Sequence, residues 1–272
     1  MHPPGTVLAM SNQNSLWTEV TTIATSLPGL FVSGTPTTVR APSTVFANGG
    51  SVPQLVAGGG WQTTFLLVNT GTTPATAGLS FVDDNGSPLS VPLVNPNSTA
   101  PTSASSISEQ LAGGASVSIT ASDTGASQQG YATFTTDGEV GALTIFRYNP
   151  SGQEIGVPLE TRNANSYLVA FDHAGGISTC VAIANLSAVP VSIPVAIRDG
   201  SGALLQSTTI NLPARGHTAF NLPDQYAITQ GQQGVIEFDT PNFGSISVFG
   251  LRTAPIGMAG GFSLATAPVV AR

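Results

Sequence analysis

Lysine is missing altogether from the 272 residues, and all seven basic side chains are arginine. A phosphate-cradling Walker loop needs a lysine, so that chemistry is excluded. So are the Lys–Asn isopeptide bonds that brace many pilins. Only 8% of residues are charged and the net charge is −7, which leaves no basic footprint for a nucleic acid. A GC-rich genome accounts for arginine in place of lysine, but not for the low total charge. A surface of Ser, Thr, Asn, Gln and Gly is soluble yet weakly protected against self-association. The single cysteine, Cys180, rules out an intrachain disulfide and is expected to pack as a small hydrophobe. No apolar run approaches the ~20 residues of a membrane span. Met1 to Gly5 shows neither the basic region nor the apolar stretch of a signal peptide, so a secreted form is expected to have been processed.

What is present is a sequence stated twice. Gly59-Gly60-Trp61 to Asn69 is answered by Gly175-Gly176-Ile177 to Asn185, and 116 positions separate Asn69 from Asn185. The match runs on through Pro74/Pro190, Leu79-Ser80-Phe81/Val195-Ala196-Ile197 and Asp83–Gly86/Asp199–Gly202. Later blocks set Gly130–Phe134 against Gly234–Phe238, and Gly141–Phe146 against Gly244–Phe249. Such self-similarity points to an internal duplication.

Apolar residues alternate with period two throughout, between clusters of Gly, Pro, Asn and Asp, and helical periodicity is nearly absent. About seven short strands per repeat predict an all-β chain of two tandem immunoglobulin-like β-sandwich domains, residues 51–160 and 161–272. The pairs Phe65/Val181, Leu67/Ile183, Leu79/Val195, Phe81/Ile197, Phe134/Phe238 and Phe146/Phe249 are expected in equivalent core positions. The short polar boundary Thr161–Asn165 predicts closely set domains. Asp83-Asp84-Asn85-Gly86 and Asp199-Gly200-Ser201-Gly202 read as hairpin turns. They lack the further acidic ligands and closing Glu of a calcium loop. The Ser/Thr/Pro-rich stretch Asn95–Ser108 reads as an exposed loop. Asn85, Asn97 and Asn185 match the N-glycan acceptor pattern, a frequent coincidence in so Ser/Thr-rich a chain.

Catalytic signatures fail in turn. His2, His173 and His217 have no ligand spacing, no Gly-x-Ser-x-Gly elbow exists, and Asp83-Asp84 is the only adjacent carboxylate pair. The expectation is a protein that is not an enzyme and holds no cofactor or metal. Leu212-Pro213-Ala214-Arg215-Gly216 lacks the Thr of a sortase signal. Sugar platforms need displayed aromatics; Trp61, Tyr131 and Tyr148 are expected to pack because Ile177, Val235 and Leu251 answer them. Tyr167 and Tyr226 are left as platform candidates, and Trp17 as a candidate anchor.

The run Phe65-Leu66-Leu67-Val68-Asn69-Thr70-Gly71-Thr72-Thr73-Pro74, with its counterpart from Val181, resembles bacterial extracellular immunoglobulin-like repeats over the front half of each repeat. That resemblance implies a secreted or cell-surface place and carries no catalytic residue with it.

Residues 1–50 match neither repeat and read as an extended, mostly polar arm. Its backbone groups need an acceptor if the arm is to dock. Strand addition to a sheet edge of another copy supplies one. The candidate contacts are Val7, Leu8 and Met10, and Leu16, Trp17, Val20 and Ile23. The expectation is therefore a structural subunit of an extracellular bacterial filament, whose partners are other copies of itself. The alternative is a monomeric adhesin or glycan-binding module.

Overall fold

The computed structural model describes residues 49–95, 100–256 and 262–272, which all belong to the same unit of the chain. It is nearly all β, with its sheets packed as sandwiches. The first ten strands are β1 (Gly49–Ala57), β2 (Trp61–Asn69), β3 (Ala75–Asp83), β4 (Val91–Val94), β5 (Thr102–Ala104), β6 (Ser106–Leu111), β7 (Ser116–Ala121), β8 (Gln128–Thr136), β9 (Val140–Tyr148) and β10 (Gln153–Val157). They form two sheets, in the orders β1-β8-β3-β6 and β10-β9-β2-β7-β4-β5. After a link comes the second set: β11 (Ser166–Asp172), β12 (Ser178–Asn185), β13 (Val191–Asp199), β14 (Leu204–Leu212), β15 (His217–Asn221), β16 (Gln233–Asp239), β17 (Ile246–Pro255), β18 (Phe262–Ala267) and β19 (Val269–Ala271). Their sheet orders are β14-β13-β16-β11-β19 and β15-β12-β17-β18.

Alternation decides which side chains meet. Phe65 and Leu67 of β2 and Leu79 and Phe81 of β3 share the first core, with the rings of Phe65 and Phe81 5.6 Å apart. Val181, Ile183, Val195 and Ile197 share the second. Ladder registers correspond as well: Leu79 lies opposite Phe134 as Val195 lies opposite Phe238. A side chain on Gly130 would lie 2.0 Å from the Val82 carbonyl oxygen, and one on Gly234 1.9 Å from that of Arg198. Close strand approach therefore demands glycine at both positions.

Two expectations are corrected. Phe146 and Phe249 are not equivalent. Asn69 pairs with Val140 while Asn185 pairs with Ile246, so Phe249 stands where Leu143 does and faces the opposite way from Ile246 and Val248. An odd slip in register moves a side chain to the other face of a sheet. Phe249 and Ala182 instead join the core cluster of the first strand set, where Phe249 meets Phe146 edge to face at 6.0 Å. The stretch Asn95–Ser108 is likewise more than a loop. Thr102–Ala104 pairs with β4, and Ser106 begins β6, because Ala104 lies across from the buried Val91 and Ile107 across from the buried Leu79.

Further contacts tie the two strand sets together. Ser51 donates through its hydroxyl to that of Ser247 at 2.8 Å, and Thr266 to the Gly156 carbonyl at 2.6 Å.

Candidate functional site

Val7, Leu8, Met10, Leu16, Trp17, Val20 and Ile23, the sequence-derived contact residues, lie outside the described residues. Apart from the aromatic side chains, four places inside them bear on function, of which the first is the seam between the strand sets. Asp84 sits in the turn after β3, and β15 starts at His217. Nδ1 of His217 lies 2.7 Å from Asp84 Oδ1, and the His217 backbone N–H donates to the Asp84 carbonyl at 3.1 Å. Gly86 completes the turn at φ 85°, and a side chain there would strike the Ala214 carbonyl oxygen at 2.0 Å. Partial burial would raise the Asp84 pKa, but hydrogen bonds from His217 and Gln129 outweigh it and hold the carboxyl below its usual value. The ring of Tyr131 lies 6.3 Å from that of His217. Burial pushes the Tyr131 hydroxyl pKa up to about 12.

The turn carboxylates themselves are committed to backbone. Asp83 Oδ1 accepts from the N–H groups of Asn85 at 2.9 Å and Ser87 at 2.8 Å. Asp199 accepts likewise from Ser201 at 2.8 Å and Ala203 at 3.0 Å. The calcium-like spelling of these turns is thus hairpin chemistry. Among the described residues no group of three or more His, Cys, Asp or Glu is placed to hold a metal ion.

The second place is a cleft of about 300 Å³ lined by His173, Ile177, Ser178, Asn221 and Gln230. His173 stacks on Phe171 at 4.9 Å, and its Nδ1–H donates to the Thr229 carbonyl at 2.8 Å. That bond fixes the tautomer and leaves Nε2 a bare lone pair, buried with no partner among the described residues. Burial pushes the His173 pKa below its usual value, and the Thr229 and Asp172 contacts only partly offset this. A depressed imidazole pKa contributes stability that is complete above the unfolded value, near ~6.5, and is lost as pH falls through the folded one. The urea midpoint of the parent should therefore drop between about pH 7 and pH 5, and His173→Phe should flatten that slope. An equally steep slope in the variant would remove His173 as its cause. Nearby, Cys180 is half-buried beside Asn221, its Sγ 3.8 Å from Oδ1, and burial raises its thiol pKa. It packs and does not present a thiolate.

A shallow groove of about 860 Å³ crosses the second set's five-stranded sheet, lined by Asp172, Arg198, Gln233, Val235, Glu237 and Arg272 among others. The aromatic candidates gather elsewhere. Trp61 is half-buried with its ring 4.7 Å from Tyr148, which lies 6.1 Å from Phe262. Tyr131, Tyr167 and Tyr226 are buried, so the two tyrosines left as platform candidates are not displayed.

No family model, curated protein or solved structure matches the chain.

The fourth place is the edge strand β14. Its nine residues, Leu-Leu-Gln-Ser-Thr-Thr-Ile-Asn-Leu, carry no charge and no proline. Sequence reasoning did not single it out; the signal was the missing charge in a strand that ends its sheet. The seam pair was missed too. The repeat comparison held a signal for it, since Asp84 is answered by Gly200, and Ser116 stands opposite Val68 where His217 stands opposite Ala184.

Proposed function

We propose that this chain is the structural subunit of an extracellular bacterial filament or surface assembly. Its two strand sets are duplicated immunoglobulin-like sandwiches, residues 51–160 and 161–272, and residues 1–50 are the arm that joins one subunit to the next by strand addition. The observation that carries this reading is the seam. Phe249, Ala182, Ser247 and His217 of one set are all spent on the other, which makes a stiff strut of two sandwiches that would otherwise hinge. The order β1-β8-β3-β6 recurs as β11-β16-β13-β14 and β10-β9-β2-β7 as β18-β17-β12-β15, and with the matching glycine approaches this supports the duplication. Asp83 and Asp199, committed to turns, and Asp84 and His217, committed to the seam, support a scaffold in place of a catalyst.

The test is the arm. Full-length chain should sediment as concentration-dependent polymers visible by electron microscopy. Val20→Asp/Ile23→Asp, which puts charge on both faces of an extended segment, should leave a folded monomer. Polymers of unchanged length from that variant would refute the mechanism. The glycan-binding alternative is favoured by the groove over Arg198, Gln233, Glu237 and Arg272. Its mark would be saturable glycan-array binding by a monomer, lost in Arg198→Ala/Gln233→Ala.

A further inference from the structure

Strand addition needs an edge that accepts it, and the sheets differ in what they leave open. At β1, Ser51 and Glu160 exchange both backbone hydrogen bonds, at 2.9 and 2.8 Å. β10 and β18 close on each other, where Gln153 Nε2 donates to the Phe262 carbonyl and Thr266 Oγ1 to that of Gly156. β15 is short, held at one end by the Asp84 carbonyl and running at the other into the helix Leu222–Gln225. β5 and β19 have three residues each. β6 carries an acidic residue along its length, Glu109, bonded by Asn95. These are the devices that protect natural sheet edges: short strands, charge and cover.

Among the described residues, β14 has none of them along Ser207–Asn211. Its one irregularity is a shift in register near Leu204, at the far end. The core is also left partly open beside it: Ile193 of β13 is fully buried, whereas Ile210 opposite it on β14 is only half-buried. A strand laid alongside would satisfy the outward backbone groups and cover Ile210 with alternate side chains.

We propose that β14 is the acceptor edge, and that its occupant is the Leu16–Ala24 segment of a second copy; this rests on the strand-addition reading above. That segment, Leu-Trp-Thr-Glu-Val-Thr-Thr-Ile-Ala, matches β14 in its nine residues, contains neither Gly nor Pro, and carries a single charge, at Glu19. Leu16, Val20 and Ala24 share the face that covers Ile210, with Trp17 and Ile23 on the other. Arm and edge are different surfaces of one chain, so the contact is heterologous and propagates as a fibre. An arm paired with its own β14 would end growth at the monomer.

The experiment is sedimentation of the full chain over a concentration series. Three variants accompany the parent: Ser207→Lys/Thr209→Lys on β14, Ser106→Lys/Ser108→Lys on β6, and Val20→Asp/Ile23→Asp in the arm. Ser207, Thr209, Ser106 and Ser108 are all exposed, so lysine there leaves the core untouched; circular dichroism checks each fold, with Thr209→Lys alone as the milder edge change. The expected result is polymers from the parent and the β6 variant, and monomers from the β14 and arm variants over the same range. If the arm variant is monomeric but the β14 variant polymerises like the parent, β14 is not the acceptor, while the strand-addition reading stands. If the parent is itself monomeric throughout, both fall.

Discussion

Phe249→Ala should destabilise both strand sets together, by about 3–5 kcal/mol, the cost of emptying a large buried aromatic site. Phe249 is only 3% exposed, yet it contributes nothing to the core formed by its neighbours Ile246 and Val248. Its ring lies against Phe146, edge to face at 6.0 Å, a geometry worth ~0.5–1.5 kcal/mol beyond burial. Truncation would leave a cavity at the seam, bounded by Phe146 on one side and by β17 on the other. The comparison that isolates this cause is Leu143→Ala. Leu143 holds the corresponding ladder position on β9 but is 48% exposed, so its loss should stay near ~0.5 kcal/mol. Denaturant unfolding followed by circular dichroism, with hydrogen exchange resolved by strand, reads both. One transition should shift as a whole in Phe249→Ala. If only β11–β19 lose protection while β1–β10 keep theirs, the seam does not couple the two sets.

The same residue shows where sequence reasoning reached and where it stopped. Period-two alternation was enough to place Phe65, Leu67, Leu79, Phe81 and Phe134 in one core and their partners in another, because burial on one face leaves a mark in every second residue. It did not place Phe249. Gly141-Ala142-Leu143-Thr144-Ile145-Phe146 and Gly244-Ser245-Ile246-Ser247-Val248-Phe249 align without a gap in a register that sets Phe against Phe. The ladder is instead set by the buried Asn69 and Asn185, which pair with Val140 and Ile246, three positions away from that match. An interface on the outer face of a sheet gives the strand apolar residues on both faces, and this masks the alternation that would have exposed the slip. The Asp84–His217 pair was illegible for a different reason: its members are 133 positions apart, and nothing local links them. Only their departure from the repeat marked them. The β14 edge lay between these cases, since its composition was in view but its place at the end of a sheet was not.

Asn185→Ala should cost about 2–4 kcal/mol, and Asn69→Ala about as much, because each amide fastens a loop to a strand end from inside the protein. Both side chains are fully buried. Nδ2 of Asn69 donates to the carbonyls of Thr73 at 2.8 Å and Leu111 at 3.0 Å, and its Oδ1 accepts from the Gly71 N–H at 3.0 Å. Asn185 repeats the arrangement, donating to Val189 at 2.9 Å and Pro213 at 2.7 Å and accepting from Ser187 at 2.9 Å. Alanine would orphan two acceptors and one donor in each place, and no single hydroxyl or thiol replaces a group that donates twice and accepts once. Asn185→Asp is the sharper probe. It keeps the shape and the bond from Ser187, but turns two donated bonds into contacts between a carboxylate and two carbonyl oxygens. It should therefore be worse than alanine at neutral pH, and should recover in part as acid protonates the new carboxyl and restores one donor. Thermal unfolding of the three variants at pH 7 and pH 4 tests the argument. Equal losses for Asp and Ala at neutral pH, or no recovery of Asp in acid, would mean that the amide acts through its volume and not through its hydrogen bonds. The Asn185 loop also donates the Leu186 N–H to the Ser245 carbonyl at 2.8 Å, just before β17 carries Ser247 and Phe249 to the seam. Loss of this amide should therefore loosen the seam as well as the loop, and the Asn185 variants should lose more protection in β17 than the Asn69 variants lose in β9.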